Sequence, residues 1–299
     1  MMNFDVIDAI YEHFVASQYQ ICTDSRALKS GDVFFCIRGE KFDGNSFAEN
    51  AVAQGARVVV VDWEEYRLDT RFIWVQDTTV ALQQLAKVHA NAMPCRKIMV
   101  GGSNGKTTTK EVTRTILDGL GETLATPGNW NNHIGVPLTL LSLRPHHQYA
   151  VIEMGTNHPG EMSVLCELIN TEFGVITNIG KEHLEGFGSI EAIAKEESEV
   201  FASVIKHAGH GIVNIDDAWL QSMSKRLTQQ STISLSNPQA NYYAEVQHEM
   251  PELGFSFYFN GENMGAFTSP LSGKYNAYNL LFGAAIAHLL GMNPAEAME

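Results

Sequence analysis

The run Lys97-Ile98-Met99-Val100-Gly101-Gly102-Ser103-Asn104-Gly105-Lys106-Thr107-Thr108-Thr109-Lys110 constrains this chain more than any other stretch. A short apolar segment ends in paired glycines, a turn follows, and Gly105-Lys106-Thr107 opens a stretch, Glu111 to Leu120, that reads as a helix. Strand, glycine loop and helix in that order make a phosphate-binding loop. Backbone N–H groups at the helix start converge on an anion, and the helix dipole favours it. Gly102, Ser103, Asn104, Gly105 and Thr108 form the expected cradle; Lys106 adds a point charge for the terminal phosphates, and the Thr107 hydroxyl suits a Mg²⁺ ligand. The common pattern has glycine where this chain has Val100. A bare Gly-Lys-Thr would mark only a turn before a basic helix. With a strand before it and a helix after it, the motif predicts binding of a nucleoside triphosphate.

Beyond the loop, strand-like runs alternate with helical ones. Tyr149-Ala150-Val151-Ile152 ends at Glu153, Gly174 to Asn178 precedes His183, and Gly211 to Ile215 ends at Asp216. Helices are expected over Ser163–Ile169 and Ser189–Val204. This alternation predicts a mostly parallel sheet covered on both faces. Ligands bind such sheets beyond the carboxyl ends of the strands, which is where Glu153 and His183 fall. Each alone reads as a solvated strand end or a surface histidine; together beside the phosphate loop they read as metal or substrate ligands. Asn129-Trp130-Asn131-Asn132-His133, between Pro127-Gly128 and Gly135-Val136-Pro137, is a loop of turn formers. It is either a self-satisfied turn or a set of neutral donors for a phosphate or amide.

Residues 1–79 read as a small α/β domain: a helix over Phe4–Ser17, strands over Val33–Ile37 and Arg57–Asp62, and a helix over Phe47–Gln54. Val80–Ala92 reads as a junction helix ahead of a nucleotide domain over 80–299. From Tyr242 the texture changes. Phe255, Phe257 and Phe259 alternate with polar or amphipathic neighbours, and Asn260-Gly261 signals a hairpin, so a small antiparallel sheet should flank the parallel one. An apolar helix over Leu280–Leu290 follows, with Asn276 and Asn279 on one face at its start.

Composition enters as a set of exclusions. The 299 residues carry a net charge of −14, which argues against nucleic acid, whose phosphates need clustered Lys and Arg. No apolar run approaches the roughly 18 residues of a membrane span, and the N-terminus shows no signal-peptide pattern. Cys22, Cys36, Cys95 and Cys166 are scattered, without metal-site spacing, and read as reduced thiols in a cytoplasmic protein.

The motifs together resemble the Mur ligases of peptidoglycan synthesis. The resemblance rests on Gly102 to Glu111, Asn129 to Pro137, Glu153-Met154-Gly155, Thr177 to Gly180 and His183-Leu184-Glu185, with Thr23-Asp24-Ser25-Arg26 and Gly39 to Gly44 in the first domain. Within the family the set is similar to members that join D-alanyl-D-alanine to UDP-N-acetylmuramoyl-tripeptide. The resemblance implies an ATP-dependent amide ligase, acting as a monomer, that phosphorylates a carboxylate and lets the amine attack the acyl phosphate. It implies that Ser25, Arg26 and Asp43 hold the UDP end. It also implies that Asn129, Asn131 and Asn132 lie near the reacting carboxylate, that Lys106, Glu153, His183 and Asn132 serve catalysis, and that Asn276 and Asn279 line the adenine site. Mg²⁺ would be held by Thr107, Glu153 and His183. Many members carry a carbamylated lysine for the second Mg²⁺. Aligning Ala194 to Glu199 places Glu197 there, either as a carboxylate acting directly or as one of three solvated acids.

Asn293-Pro294-Ala295-Glu296 has the cap, proline and glutamate of a helix start, so a further helix, and with it the family's third domain, is expected beyond Glu299; the fragment alone should ligate little or nothing. Two other classes stay open: a folylpolyglutamate synthase-like ligase sharing the central domain, and a non-catalytic nucleotide-binding module.

Overall fold

A computed structural model describes residues 4–39, 41–181 and 184–299. It divides into two compact units, one reaching Met93 together with Leu140–Ser142, the other comprising Pro94–Thr139 and Leu143–Glu299, so that helix Gly135–Leu141 has its first five residues in the second unit and its last two in the first. Helix Thr78–Ala92, read above as a junction, therefore belongs to the first unit.

The first unit runs α1 (Phe4–Ala16), β1 (Ile21–Cys22), β2 (Val33–Phe35), β3 (Arg38–Gly39), β4 (Phe42–Asp43), α2 (Ala48–Ala53), β5 (Val58–Val61), β6 (Phe72–Trp74) and α3 (Thr78–Ala92). Strands β1-β2-β5-β6 form a parallel sheet. The all-valine β5 is buried along its whole length, as a strand covered on both faces requires. Phe34, Val59, Val61 and Phe72 pack with Ala48 and Ala51 of α2. Asp77 caps α3 by accepting the Val80 N–H at 2.9 Å. His89 of α3, fully buried, meets Phe14 of α1 edge-on at 5.1 Å.

The second unit runs β7 (Arg96–Gly101), α4 (Lys106–Leu117), β8 (Thr123–Ala125), α5 (Gly135–Leu141), β9 (Tyr149–Glu153), α6 (Glu161–Cys166), β10 (Phe173–Ile176), α7 (Leu184–Phe187), α8 (Ile190–Glu197), α9 (Glu199–Lys206), β11 (His210–Asn214), α10 (Ala218–Ser224), β12 (Gln230–Ser234), β13 (Tyr242–His248), β14 (Leu253–Phe259), β15 (Glu262–Ser269) and α11 (Tyr275–Leu289). One nine-stranded sheet takes the order β15-β14-β13-β12-β11-β10-β7-β9-β8. It is parallel from β8 to β13 and antiparallel from β13 to β15. The antiparallel strands thus continue the parallel sheet rather than forming a separate one. Asn260 and Gly261 turn the β14–β15 hairpin with φ of 48° and 83°, the left-handed pair that a two-residue turn of this kind requires.

From β7 the chain passes to β8 and β9 on one side and then crosses back to β10 on the other, so the winding reverses across the sheet beside β7. Such a switch point opens a crevice at the strands' carboxyl ends. Register pairs Val100 with Glu153 and Gly101 with Ile176, which sets the loop after β7 between Glu153 and Thr177. Behind it, Leu281, Phe282, Ala284 and Ala285 of α11 join Phe255 and Phe257 in the main core.

One element differs from its sequence reading. Ser189–Val204 is broken into α8 and α9 at Ser198, whose hydroxyl donates to the Lys195 carbonyl at 2.6 Å. At Asn293 the expected cap is present, its Oδ1 accepting the Ala295 N–H at 2.9 Å and its carbonyl the Ala297 N–H at 3.1 Å, ahead of a short 3-10 turn over Glu296–Met298 that buries Ala297 and Met298. Among the described residues, no helix is long and apolar enough to cross a membrane.

Candidate functional site

The phosphate loop is built by β7, α4 and the segment after β10. Gly102 has φ of 109°, and a Cβ there would lie 2.3 Å from Thr177 Oγ1, so only glycine lets the loop pass against β10. Gly105 caps α4 with φ of 85°, and its missing Cβ makes room for Asn279. The Asn104 N–H donates to Asn178 Oδ1 at 3.1 Å, Asn178 Nδ2 returns a bond to the Asn104 carbonyl at 2.8 Å, and the Gly180 N–H donates to Ser103 Oγ at 2.7 Å. Lys106 Nζ curls back over the loop, donating to the carbonyls of Gly102 at 2.5 Å and Ser103 at 2.8 Å. In that position the ammonium overhangs the cradle. Thr107 is exposed and Thr108 half-buried in the first turn of α4.

A cleft of about 300 Å³ opens beside the loop, lined by Ser103 and Lys106 on one side and by Asn129, Asn131, Asn132 and Glu197 around it. Glu153, at the end of β9 and 1% exposed, accepts from Asn131 Nδ2 at 2.8 Å through Oε1. Its Oε2 is buried with no hydrogen-bond partner. A buried carboxylate oxygen without a hydrogen bond is uncommon in a folded interior; the Lys110 ammonium stands 3.6 Å from it, and such an oxygen is a hard donor of the kind divalent cations take. Asn132 Oδ1 accepts the N–H groups of Ile134 and Gly135 at 3.1 and 2.9 Å, so this side chain also starts α5. The polar loop is therefore both a satisfied turn and a wall of the cleft.

Glu197 is 4% exposed, and its Oε2 accepts the Gly102 N–H at 2.6 Å. It is not one of a set of solvated acids. Helix α8 comes so close that a Cβ on Gly101 would lie 2.7 Å from that oxygen. Lys195, two residues earlier, lines a different groove with Trp219 and Arg226. His183 lies outside the described residues.

Lys110, at the end of the motif, has no role assigned from sequence. It is fully buried, donating from Nζ to the carbonyls of Thr126 at 2.7 Å and Gly128 at 2.9 Å, with Glu111 at 3.1 Å and Glu153 Oε2 at 3.6 Å. It ties α4 to the loop carrying the asparagines. The available signal was its place four residues after Lys106, on a helix whose neighbouring Thr109 and Thr113 are also buried.

A second cavity, about 270 Å³, lies on the other side of the loop, lined by Asn104, Asn178, Asn214, Tyr275, Tyr278 and Asn279 among others. Asn279 also accepts from Thr109 Oγ1 at 2.9 Å, locking α11 to α4. Asn276 does not line this cavity; it donates to the Ser272 carbonyl and accepts from Asn279 Nδ2. Asn178, Asn214 and the two tyrosines have no assignment from sequence because they come from three separate segments.

In the first unit, Thr23, Asp24, Ser25 and Arg26 line a cavity of about 440 Å³ with Phe34, Phe42 and Phe47. Asp24 grips Arg26 through two bonds of 2.9 and 2.7 Å, and the guanidinium holds the carboxyl down to about 2. Asp43 is not in the lining. Burial would raise its pKa, but hydrogen bonds from Asn45 and Trp63, with Arg38 nearby, hold it below the usual range. Those bonds, 2.7 Å from Asn45 Nδ2 and 3.0 Å from Trp63 Nε1, make Asp43 a brace for the β3–β4 turn that carries Phe42.

Away from the clefts, Glu122, His146 and His147 have metal-ligand spacing. His147 Nδ1, however, accepts the Arg144 N–H at 2.9 Å, which leaves the ring hydrogen on Nε2 and no second lone pair for an ion.

Comparison with known proteins agrees with this geometry. The family model described as the Mur ligase middle domain matches residues 100–287, and the one described as the Mur ligase family, catalytic domain, matches residues 18–90. The UDP-N-acetylmuramoyl-tripeptide–D-alanyl-D-alanine ligase of Escherichia coli is 35% identical over 273 residues, covering 91% of this chain and 60% of that protein. The crystal structure of MurF from Acinetobacter baumannii superposes with a TM-score of 0.84 at 33% identity, over 93% of this chain and 61% of that one. MurF from Thermotoga maritima, solved in complex with ADP, gives 0.80 at 25% identity, over 94% and 65%. The chain spans about 60% of the length of the curated relatives it matches. On the family-model match and these identities, the chain belongs to the Mur ligase family.

Proposed function

We propose that this chain carries the nucleotide- and UDP-substrate-handling parts of an ATP-dependent ligase. The reaction joins D-alanyl-D-alanine to UDP-N-acetylmuramoyl-tripeptide through an acyl phosphate, in the cytoplasm. The observation that carries the reading is the cleft where Lys106, Asn131, Asn132 and Glu197 meet beside a phosphate loop, with the Glu153 carboxylate behind it bonded to Asn131. Phosphoryl transfer asks little covalent chemistry of a protein and much positioning. Lys106 and the N–H groups opening α4 would orient the phosphates. Asn129, Asn131 and Asn132 would place the acceptor carboxylate, and the cavity at Ser25 and Arg26 would hold the UDP end. Bound Mg²⁺ would neutralise charge developing on the phosphates, held by Thr107, Glu153 and Glu197. The cavity beside Asn279 has room for the adenine.

The folylpolyglutamate synthase-like alternative is separated by the acceptor. UDP-N-acetylmuramoyl-tripeptide should raise the melting temperature of this chain by several degrees at saturating ligand, and a folyl-glutamate should leave it unchanged. The reverse pattern would overturn the reading.

Glu197 is proposed to supply its carboxylate directly, with no CO₂-derived group. The close approach of α8 to the loop supports this, since it removes the need for a longer side chain. Glu197→Ala should raise the Mg²⁺ concentration needed for half-maximal nucleotide binding about tenfold or more, with bicarbonate making no difference to the wild type. Glu197→Lys should recover binding only when bicarbonate is added. An ordinary Mg²⁺ titration for Glu197→Ala would leave Glu197 as no more than the acceptor for the Gly102 amide.

A further inference from the structure

Helix α8 presents two consecutive carboxylates that are both buried, Glu196 at 8% and Glu197 at 4% exposure. Adjacent helical residues diverge by about 100°, so the pair reaches two different walls. Glu197 takes the amide of Gly102 at the start of the phosphate loop. Glu196 turns to the segment between β9 and α6. Its Oε1 accepts the Met162 N–H at 2.7 Å and the Thr156 hydroxyl at 3.5 Å, and its Oε2 accepts the Gly160 N–H at 2.9 Å. Both amides thus bond to a side chain from a distant helix and not to a neighbouring strand. Glu161 gathers the rest of the segment, accepting the N–H groups of Asn157 at 2.7 Å and His158 at 3.1 Å. The same segment contributes Thr156 and Asn157 to the lining of the cleft that also holds Lys106.

We infer that Glu196 is a positioning residue that fixes the acceptor wall of the cleft, while Glu197 anchors the nucleotide side. Helix α8 then sets the spacing between the two walls. The inference rests on the functional reading above. The phosphate loop takes the nucleotide, so the carboxylate to be phosphorylated enters on the other side, against Thr156 and Asn157. Glu196 stands behind that wall and acts through it, touching no substrate. A buried carboxylate that satisfies two backbone amides cannot be replaced by an amide without turning a donor toward a donor.

The test compares wild type with E196Q by amide hydrogen exchange, and by titration with MgADP and with UDP-N-acetylmuramoyl-tripeptide in the presence of MgADP. Exchange across Thr156–Met162 should quicken about tenfold in E196Q. The Kd for MgADP should stay within about twofold, because the phosphate loop keeps its own anchor, while the Kd for the tripeptide should weaken about tenfold. If E196Q does not fold, E196D, which keeps the charge on a shorter arm, is measured against the same outcomes. Unchanged exchange over the segment would overturn the inference, as would faster exchange with an unaltered tripeptide Kd, the mark of a merely structural role. A wild-type chain that binds neither ligand would overturn the functional reading itself, and this inference with it.

Discussion

Lys110→Met should destabilise the second unit by about 3–5 kcal/mol, the usual cost of removing one partner from a buried ion pair. The ammonium is fully buried and serves four groups at once: two carbonyls, at Thr126 and Gly128, and the carboxylates of Glu111 and Glu153. Methionine fills much of the same volume, so the loss is one of charge and hydrogen bonds, with little cavity. It leaves two carbonyls without their donor. It also leaves Glu153, 1% exposed and already short of one hydrogen bond, without its nearby cation. Glu153→Gln in the same chain should recover part of the stability by removing the uncompensated charge, and the carbonyls should account for what is not recovered. Urea unfolding of the wild type and the two variants measures both quantities. A single-variant loss below about 1 kcal/mol would mean that water replaces the ammonium and that the loop does not depend on it.

Much of this site was legible because its signals are local. A buried strand, two positive-φ glycines and a lysine at a helix start are consecutive in the chain, and each follows from backbone geometry. The hairpin at Asn260-Gly261 was equally plain, since few residue pairs accept its dihedrals. What escaped is built from distant segments. Lys110 reads as one more basic residue until the carbonyls of Thr126 and Gly128 are brought to it. Glu196 sits among three acids in four residues, and nothing in that run tells which face meets protein. The break at Ser198 was invisible because serine is a weak helix breaker whose effect depends on where its hydroxyl bonds. Asp43 was assigned to a ligand by its neighbours in the motif, whereas its carboxylate is engaged by Asn45 and Trp63. Asn276 and Asn279 do share a face, yet only Asn279 reaches the cavity.

Lys106→Ala is expected to produce the largest functional change in the chain. The loop that carries Lys106 is held by Asn178, Gly180 and Glu197, so it should keep its shape without the lysine. The ammonium, poised over the Gly102 and Ser103 carbonyls, needs only a short swing to meet a phosphate. A charge-assisted contact of that kind is worth roughly 2–3 kcal/mol, or about 100-fold in affinity. Calorimetric titration of residues 1–299 with MgADP, wild type beside Lys106→Ala, therefore tests most directly whether this cleft is a nucleotide site. The account predicts saturable one-to-one binding by the wild type and a loss of about 100-fold in the variant, with the circular dichroism and melting temperature of the free proteins nearly the same. Equal affinities in the two proteins would contradict it.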